Sequence, residues 1–97
     1  MKITAKHKKH LRRLGHQLSP VVRISQDGLK QTVIEATQEA LETHELIKIR
    51  ALANNREEQN ALVDALGKKT GATLISQTGF TALLFRRNID SPKINFD

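Results

Sequence analysis

The sequence predicts an α/β fold: a two-layer sandwich of order α-β-α-β-α-β-β, with a four-stranded mixed sheet and its helices packed on one face. Three observations predict it. Stretches with apolar residues at helical spacing alternate with short runs rich in Val, Ile and Leu, as in strand–crossover–strand units. Only Thr78-Gly79 separates the last two strand-like runs, which reads as a hairpin. A chain of 97 residues without a cysteine holds one modest core, with no disulfide framework and no thiolate chemistry.

Each element has its own local reason. Thr4 caps a first helix running to about Gln17, with Ile3, His7, Leu11, Leu14 and Leu18 along one stripe. Lys2, Lys6, Lys9, Arg13 and His16 fall at helical spacing on the opposite face, with Lys8 and Arg12 alongside. Ser19-Pro20 ends this helix, and Val21–Ile24 is a short, mostly buried strand. Ser25-Gln26-Asp27-Gly28 turns the chain into a second helix, from Leu29 to about Thr43. Its Leu29, Val33, Ala36, Ala40 and Leu41 face inward, and Glu35, Glu39 and Glu42 face outward.

A second strand covers Glu45 to Leu52. Asn55 caps the third helix and Glu58 completes a capping box, while Gly71 ends it behind Lys68 and Lys69. Ala72–Gln77 and Phe80–Phe85 alternate as two further strands. Strands separated by a helix are expected to pair in parallel through right-handed crossovers, and the last two to pair antiparallel. In the second strand Ile47, Ile49 and Ala51 alternate with Leu46, Lys48 and Arg50. One sheet face is thus apolar and the other partly basic, which is the reason to place the helices on one side only. Residues 1–87 form a single domain, followed by a polar, loosely held tail over 88–97.

Charge is the strongest functional signal. Residues 1–30 hold eight Lys or Arg against one acid, Asp27, whereas residues 31–62 hold three basic residues against six Glu. The net charge of +6 is therefore concentrated at one end, as in a protein that holds a polyanion there, and nucleic acid is the leading partner. A plain solvated helix face is the competing reading of the lysines, and the scarcity of nearby acids tells against it. The turn at Ser25–Gly28 could offer backbone amides to a phosphate, or could simply be a strand-to-helix turn with Asp27 as its cap.

Other chemistries find little support. Gly67-Lys68-Lys69-Thr70-Gly71 looks like a phosphate loop but has Leu62 for the first glycine and Lys69 where Ser or Thr should stand. His7 and His10 are three apart, but no cysteine or nearby acid completes a metal set. No nucleophile elbow, spaced carboxylate pair or dinucleotide turn is present, so neither catalysis, nor a cofactor, nor a metal is expected. Phe80, Phe85 and Phe96 are the only aromatics, too few for the stacking sheet of an RRM. A binder of this composition grips phosphates and shape. No secretory signal or membrane span is read, so an intracellular, cytoplasmic protein is expected.

Several segments together resemble a known module. They are Lys8-Lys9-His10-Leu11-Arg12-Arg13-Leu14, Leu18-Ser19-Pro20-Val21-Val22-Arg23-Ile24, Gly28-Leu29, Glu42-Thr43-His44-Glu45-Leu46-Ile47-Lys48-Ile49, Thr70-Gly71-Ala72 and Leu83-Leu84-Phe85-Arg86. Over residues 3–87 their order and spacing resemble the CRM domain, the RNA-binding module of chloroplast splicing and ribosome maturation factors, in its stand-alone bacterial YhbY-like form. The resemblance implies a fold similar to the C-terminal domain of a bacterial initiation factor, and association with large-subunit ribosomal precursors. It also implies a GxxG loop like that of KH domains, carried here onto Ser25, Gln26, Asp27 and Gly28. Ser25 departs from the first glycine and Asp27 adds a charge repelling phosphate; Lys30 stands where Thr is usual, and Phe85 where Tyr is common.

The expected function is RNA binding in ribosome assembly. Lys6, Lys9, Arg12 and Arg13 would contact phosphates from the first helix, and the Ser25–Gly28 amides with Lys30 would form an anion site. Lys48, Arg50, Arg86 and Arg87 would lie on or near the open sheet face. The alternative is a protein–protein adaptor that docks a basic partner on Glu35, Glu39 and Glu42.

Overall fold

The computed structural model describes residues 1–96. Three helices, α1 (Ala5–Gly15), α2 (Gln31–His44) and α3 (Arg56–Thr70), alternate with strands β1 (Pro20–Ile24), β2 (Leu46–Ala51), β3 (Thr73–Thr78) and β4 (Thr81–Phe85) in the expected order. Local chemistry sets the ends. Thr4 Oγ1 accepts from the His7 amide at 3.2 Å while His7 Nδ1 accepts from the Thr4 amide at 3.1 Å, a reciprocal cap. At α3 the Glu58 amide donates to Asn55 Oδ1 at 2.8 Å, but the Glu58 carboxylate accepts from Asn54, one residue before the cap. Gly71 closes α3 at φ +75°, where the Gly71 and Ala72 amides both reach the Gly67 carbonyl.

The strand order is β1-β2-β4-β3. β1 pairs parallel to β2, with Val22 opposite Ile49 and Ile24 opposite Ala51. β4 pairs antiparallel to both β2 and β3. It therefore slots between two strands that were expected to be neighbours. The hairpin loop is Gly79-Phe80, closed by the Thr78–Thr81 pair, one residue later than the sequence suggests.

The helices do not all share one face, which corrects the two-layer expectation. Leu41 of α2 with Val63 and Leu66 of α3 cover Val22, Ile24, Ile47, Ile49, Ala51, Ala82 and Leu84. On the opposite face Leu11 of α1 is buried with Leu46, Ile75, Leu83 and Phe85. The physical reason lies in β4. Alternation in β2 shows Leu46, Lys48 and Arg50 on that face, and pairing sets Phe85 opposite Leu46 and Leu83 opposite Lys48. An apolar half is thus created that must be buried, and α1 does so. Gly15 permits the close approach, because a Cβ there would clash with the Leu83 side chain. Beyond this contact the stripe fails: Leu14 and Leu18 are exposed.

Over residues 88–96 the tail is not loose, and Asp97 lies outside the described residues. Glu45, fully buried and at φ +64°, caps the end of α2 and turns its carboxylate on the returning chain. It accepts from the amides of Asn88 (2.6 Å), Lys93 (2.7 Å) and Ile94 (2.8 Å) and from Arg87 Nη1 (3.3 Å). Burial pushes this carboxyl up, but the three amides and the Arg87 guanidinium outweigh it and hold it below the usual carboxylate range. Ile94 and Phe96 then pack on the α1-side core, where Phe96 meets Phe85 edge-on at 5.7 Å.

Candidate nucleic-acid interface

What α1 leaves uncovered is the basic half of its sheet face. The register sets Arg23 beside Arg50, Arg50 opposite Thr81 and Thr81 opposite Thr78, a row across all four strands at one end. One step inward stand Lys48, Leu83 and Ser76. The last turn of α1 overhangs this inner row, and Arg12, His16, Lys48, Ser76, Thr78 and Thr81 border a groove of about 260 Å³ between helix and sheet. Hydroxyls and cations around an open groove suit phosphate oxygens.

Ion pairing separates the cations. Among the described residues the carboxylate pairs are Lys30–Asp27 (3.6 Å), Lys68–Asp64 (3.0 Å), Arg86–Glu42 (3.1 Å) and Arg87–Glu45 (3.3 Å). Lys6, Lys9, Arg12, Arg13, Arg23, Lys48 and Arg50 appear in none of them. Lys6, Lys9, Arg12 and Arg13 are exposed along α1, and Arg23 and Arg50 on the sheet. Two like charges side by side on neighbouring strands repel, so nothing about folding favours Arg23 next to Arg50.

Arg86 and Arg87 do not lie at this open basic end, a second correction: both follow β4 at the other end of the sheet, Arg86 on the α2–α3 side and Arg87 on the α1 side. Arg86 donates to Gln38 Oε1 and to the Thr70 carbonyl at 2.7 Å, tying α2 to α3. Arg87 donates to the Ile94 carbonyl at 2.7 Å and stacks on Phe96 at 5.3 Å. Both are structural clamps.

The loop at Ser25–Gly28 sits at the basic end, because Ile24 pairs with Ala51 and its carbonyl accepts from the Leu52 amide at 2.9 Å. Gly28 adopts φ +96°, and its amide donates to the Ser25 carbonyl at 3.0 Å. That amide closes the turn, and α2 starts only at Gln31, so Gly28 does not open the helix as expected. Ser25, Gln26 and Asp27 are exposed, and Lys30 is paired with Asp27.

Sequence reasoning missed Arg23 and Phe80, whereas His16, read on the basic face of the first helix, does border the groove. Arg23 was readable, since it alternates with the buried Val22 and Ile24. Among the described residues no cluster of His, Cys, Asp and Glu could hold a metal, and His7 and His10 instead contact the Phe96 ring at 4.8 and 5.7 Å. Among the described residues no helix is long and apolar enough to cross a membrane.

Comparison with known proteins completes the picture. A protein from Pseudomonas aeruginosa named "Probable RNA-binding protein PA4753" is 35% identical over 95 residues, 98% of this chain and 88% of its own length. "Probable RNA-binding protein YqeI" of Bacillus subtilis is 33% identical over 92 residues, 95% of this chain and 96% of its own. The solution structure of protein SAV1595 from Staphylococcus aureus superposes with a TM-score of 0.79 at 30% identity, covering 90% of this chain and 91% of that one. The family model described as the CRS1 / YhbY (CRM) domain matches residues 3–86, and with the same element order and mixed sheet the chain belongs to that family.

Proposed function

We propose that this protein binds structured RNA along a track from Lys6, Lys9, Arg12 and Arg13 of α1 across Lys48, Arg50 and Arg23 to the Ser25–Gly28 loop. The observation that carries this reading is the run of exposed cations from α1 across the open end of the sheet, none of them paired with a carboxylate among the described residues, whereas Arg86 and Arg87 at the other end of the sheet are both paired. The names of the relatives support it. The protein acts without catalysis, in the cytoplasm, on ribosomal RNA of large-subunit precursors. The adaptor reading on α2 is weakened because Glu42 is engaged by Arg86 and Asn88, leaving Glu35 and Glu39 as the exposed pair.

The test is binding of a structured ribosomal RNA fragment over a range of salt concentrations. Each phosphate contact contributes about 0.9 to the slope of log K against log salt. A Lys9/Arg12/Arg13→Ala variant should flatten the slope by about three units and bind all structured RNAs more weakly. A weak affinity that this variant leaves unchanged would contradict the proposal.

A further inference from the structure

The three phenylalanines are used differently. Phe85 is 1% exposed and Phe96 packs against it, whereas Phe80 is 53% exposed at the tip of the β3–β4 hairpin, away from both cores. A ring half exposed and outside both cores contributes less to folding than a buried one. Yet this one is held firmly. Gln59 Nε2 donates to the carbonyls of Ala51 (3.2 Å) and Gly79 (2.8 Å), and the Ala51 amide donates to the Phe80 carbonyl at 2.8 Å. Gly79 at φ +58° allows the tight turn that presents the ring.

Its surroundings are cationic and polar. The Arg50 guanidinium lies over the ring at 5.9 Å from the centroid, Arg23 stands next to Arg50 in register, and among the described residues neither Arg is paired with a carboxylate. Next to the ring a concavity of about 300 Å³ is bordered by Asn54 and Arg56. That volume is at the small end of ligand sites and suits a single base. A double helix presents no free base face, while an extruded nucleotide offers a flat π-surface flanked by two phosphates.

We infer that Phe80 is a stacking platform for one unpaired nucleotide of the RNA, with Arg23 and Arg50 on the flanking phosphates. This rests on the RNA reading above and deepens it: the ligand is structured RNA carrying a bulged or looped-out base next to a helix.

The experiment uses one RNA stem-loop prepared with and without a single unpaired adenosine in its stem. Binding is measured by fluorescence polarisation for the full chain and for Phe80→Leu and Phe80→Tyr, with thermal melts to show that both variants fold. Base–aromatic stacking predicts that the wild type prefers the bulged RNA by about tenfold or more. Phe80→Leu should lose that preference and keep the salt slope, and Phe80→Tyr should retain both. A 2-aminopurine at the bulge should change fluorescence on binding to the wild type and not to Phe80→Leu. Equal affinity of the wild type for the two RNAs, or a preference surviving in Phe80→Leu, overturns the inference while leaving phosphate binding intact. Failure to bind either RNA overturns the RNA reading and this inference with it.

Discussion

Two pairs of arginines sit at opposite ends of this sheet, and they have opposite fates. Arg86 and Arg87, following β4, are surrounded by Glu42, Glu45, the Thr70 and Ile94 carbonyls and the Phe96 ring. Arg23 and Arg50, adjacent on β1 and β2, are paired with no carboxylate among the described residues, and Arg50 lies over the Phe80 ring. In the sequence all four are basic residues in or beside a strand. What distinguishes them is where the glutamates fold to, and that placement turns one pair into braces and leaves the other as a surface for an anion.

The largest expected effect breaks the braced end. Glu45→Ala removes a buried carboxylate that accepts three backbone amides and pairs with Arg87, and should destabilise the protein by about 3–5 kcal/mol in chemical denaturation. The released segment beyond Asn88 should then become sensitive to protease.

Next comes the contact that holds α1 against the sheet. Gly15→Ala places a Cβ on Leu83 and should cost about 1–3 kcal/mol, since either the leucine must change rotamer or the helix end must lift. Because α1 carries half of the proposed track, RNA affinity should fall in the same variant at temperatures where it remains folded.

At the free end the sign reverses. Arg23→Thr removes a like-charge neighbour and supplies a good strand residue, so stability should stay level or rise by a few tenths of a kcal/mol. The salt slope of RNA binding should nevertheless drop by about one unit. A loss of stability without loss of binding would make Arg23 another brace and erase the contrast.

The smallest effect is a pH dependence confined to the braced end. Glu45 is held below the usual carboxylate range in the folded state, so its contribution is fully present above the ordinary value of about 4.3. It is lost as pH falls through the depressed folded value. The difference in melting temperature between wild type and Glu45→Gln should therefore be constant from neutral pH down to about 5 and shrink below it.

The order of elements, the caps at Thr4 and Asn55 and the hairpin were legible in the sequence, because periodicity, capping residues and turn residues act over a few positions. The insertion of β4 between β2 and β3 was not, since antiparallel and parallel neighbours satisfy the same local pattern. The placement of α1 on its own face escaped for a related reason: Leu83 and Phe85 share a side with Lys48 and Arg50 only once the register is known. Glu45 looked like the first residue of a strand, and its partners lie more than 40 positions away. Of the candidate site, the α1 cations and Lys48 and Arg50 were legible from charge and alternation. Arg86 and Arg87 were misplaced, since charge alone carries no information about pairing.

The most direct test of the contrast between the two ends is an NMR titration of the arginine Nε–Hε signals with a structured ribosomal RNA fragment. Arg12, Arg23 and Arg50 are predicted to shift or broaden with added RNA, and Arg86 and Arg87 to stay in place. Movement of Arg86 and Arg87 with Arg23 and Arg50 unaffected would contradict it, and would put the RNA at the opposite end of the sheet.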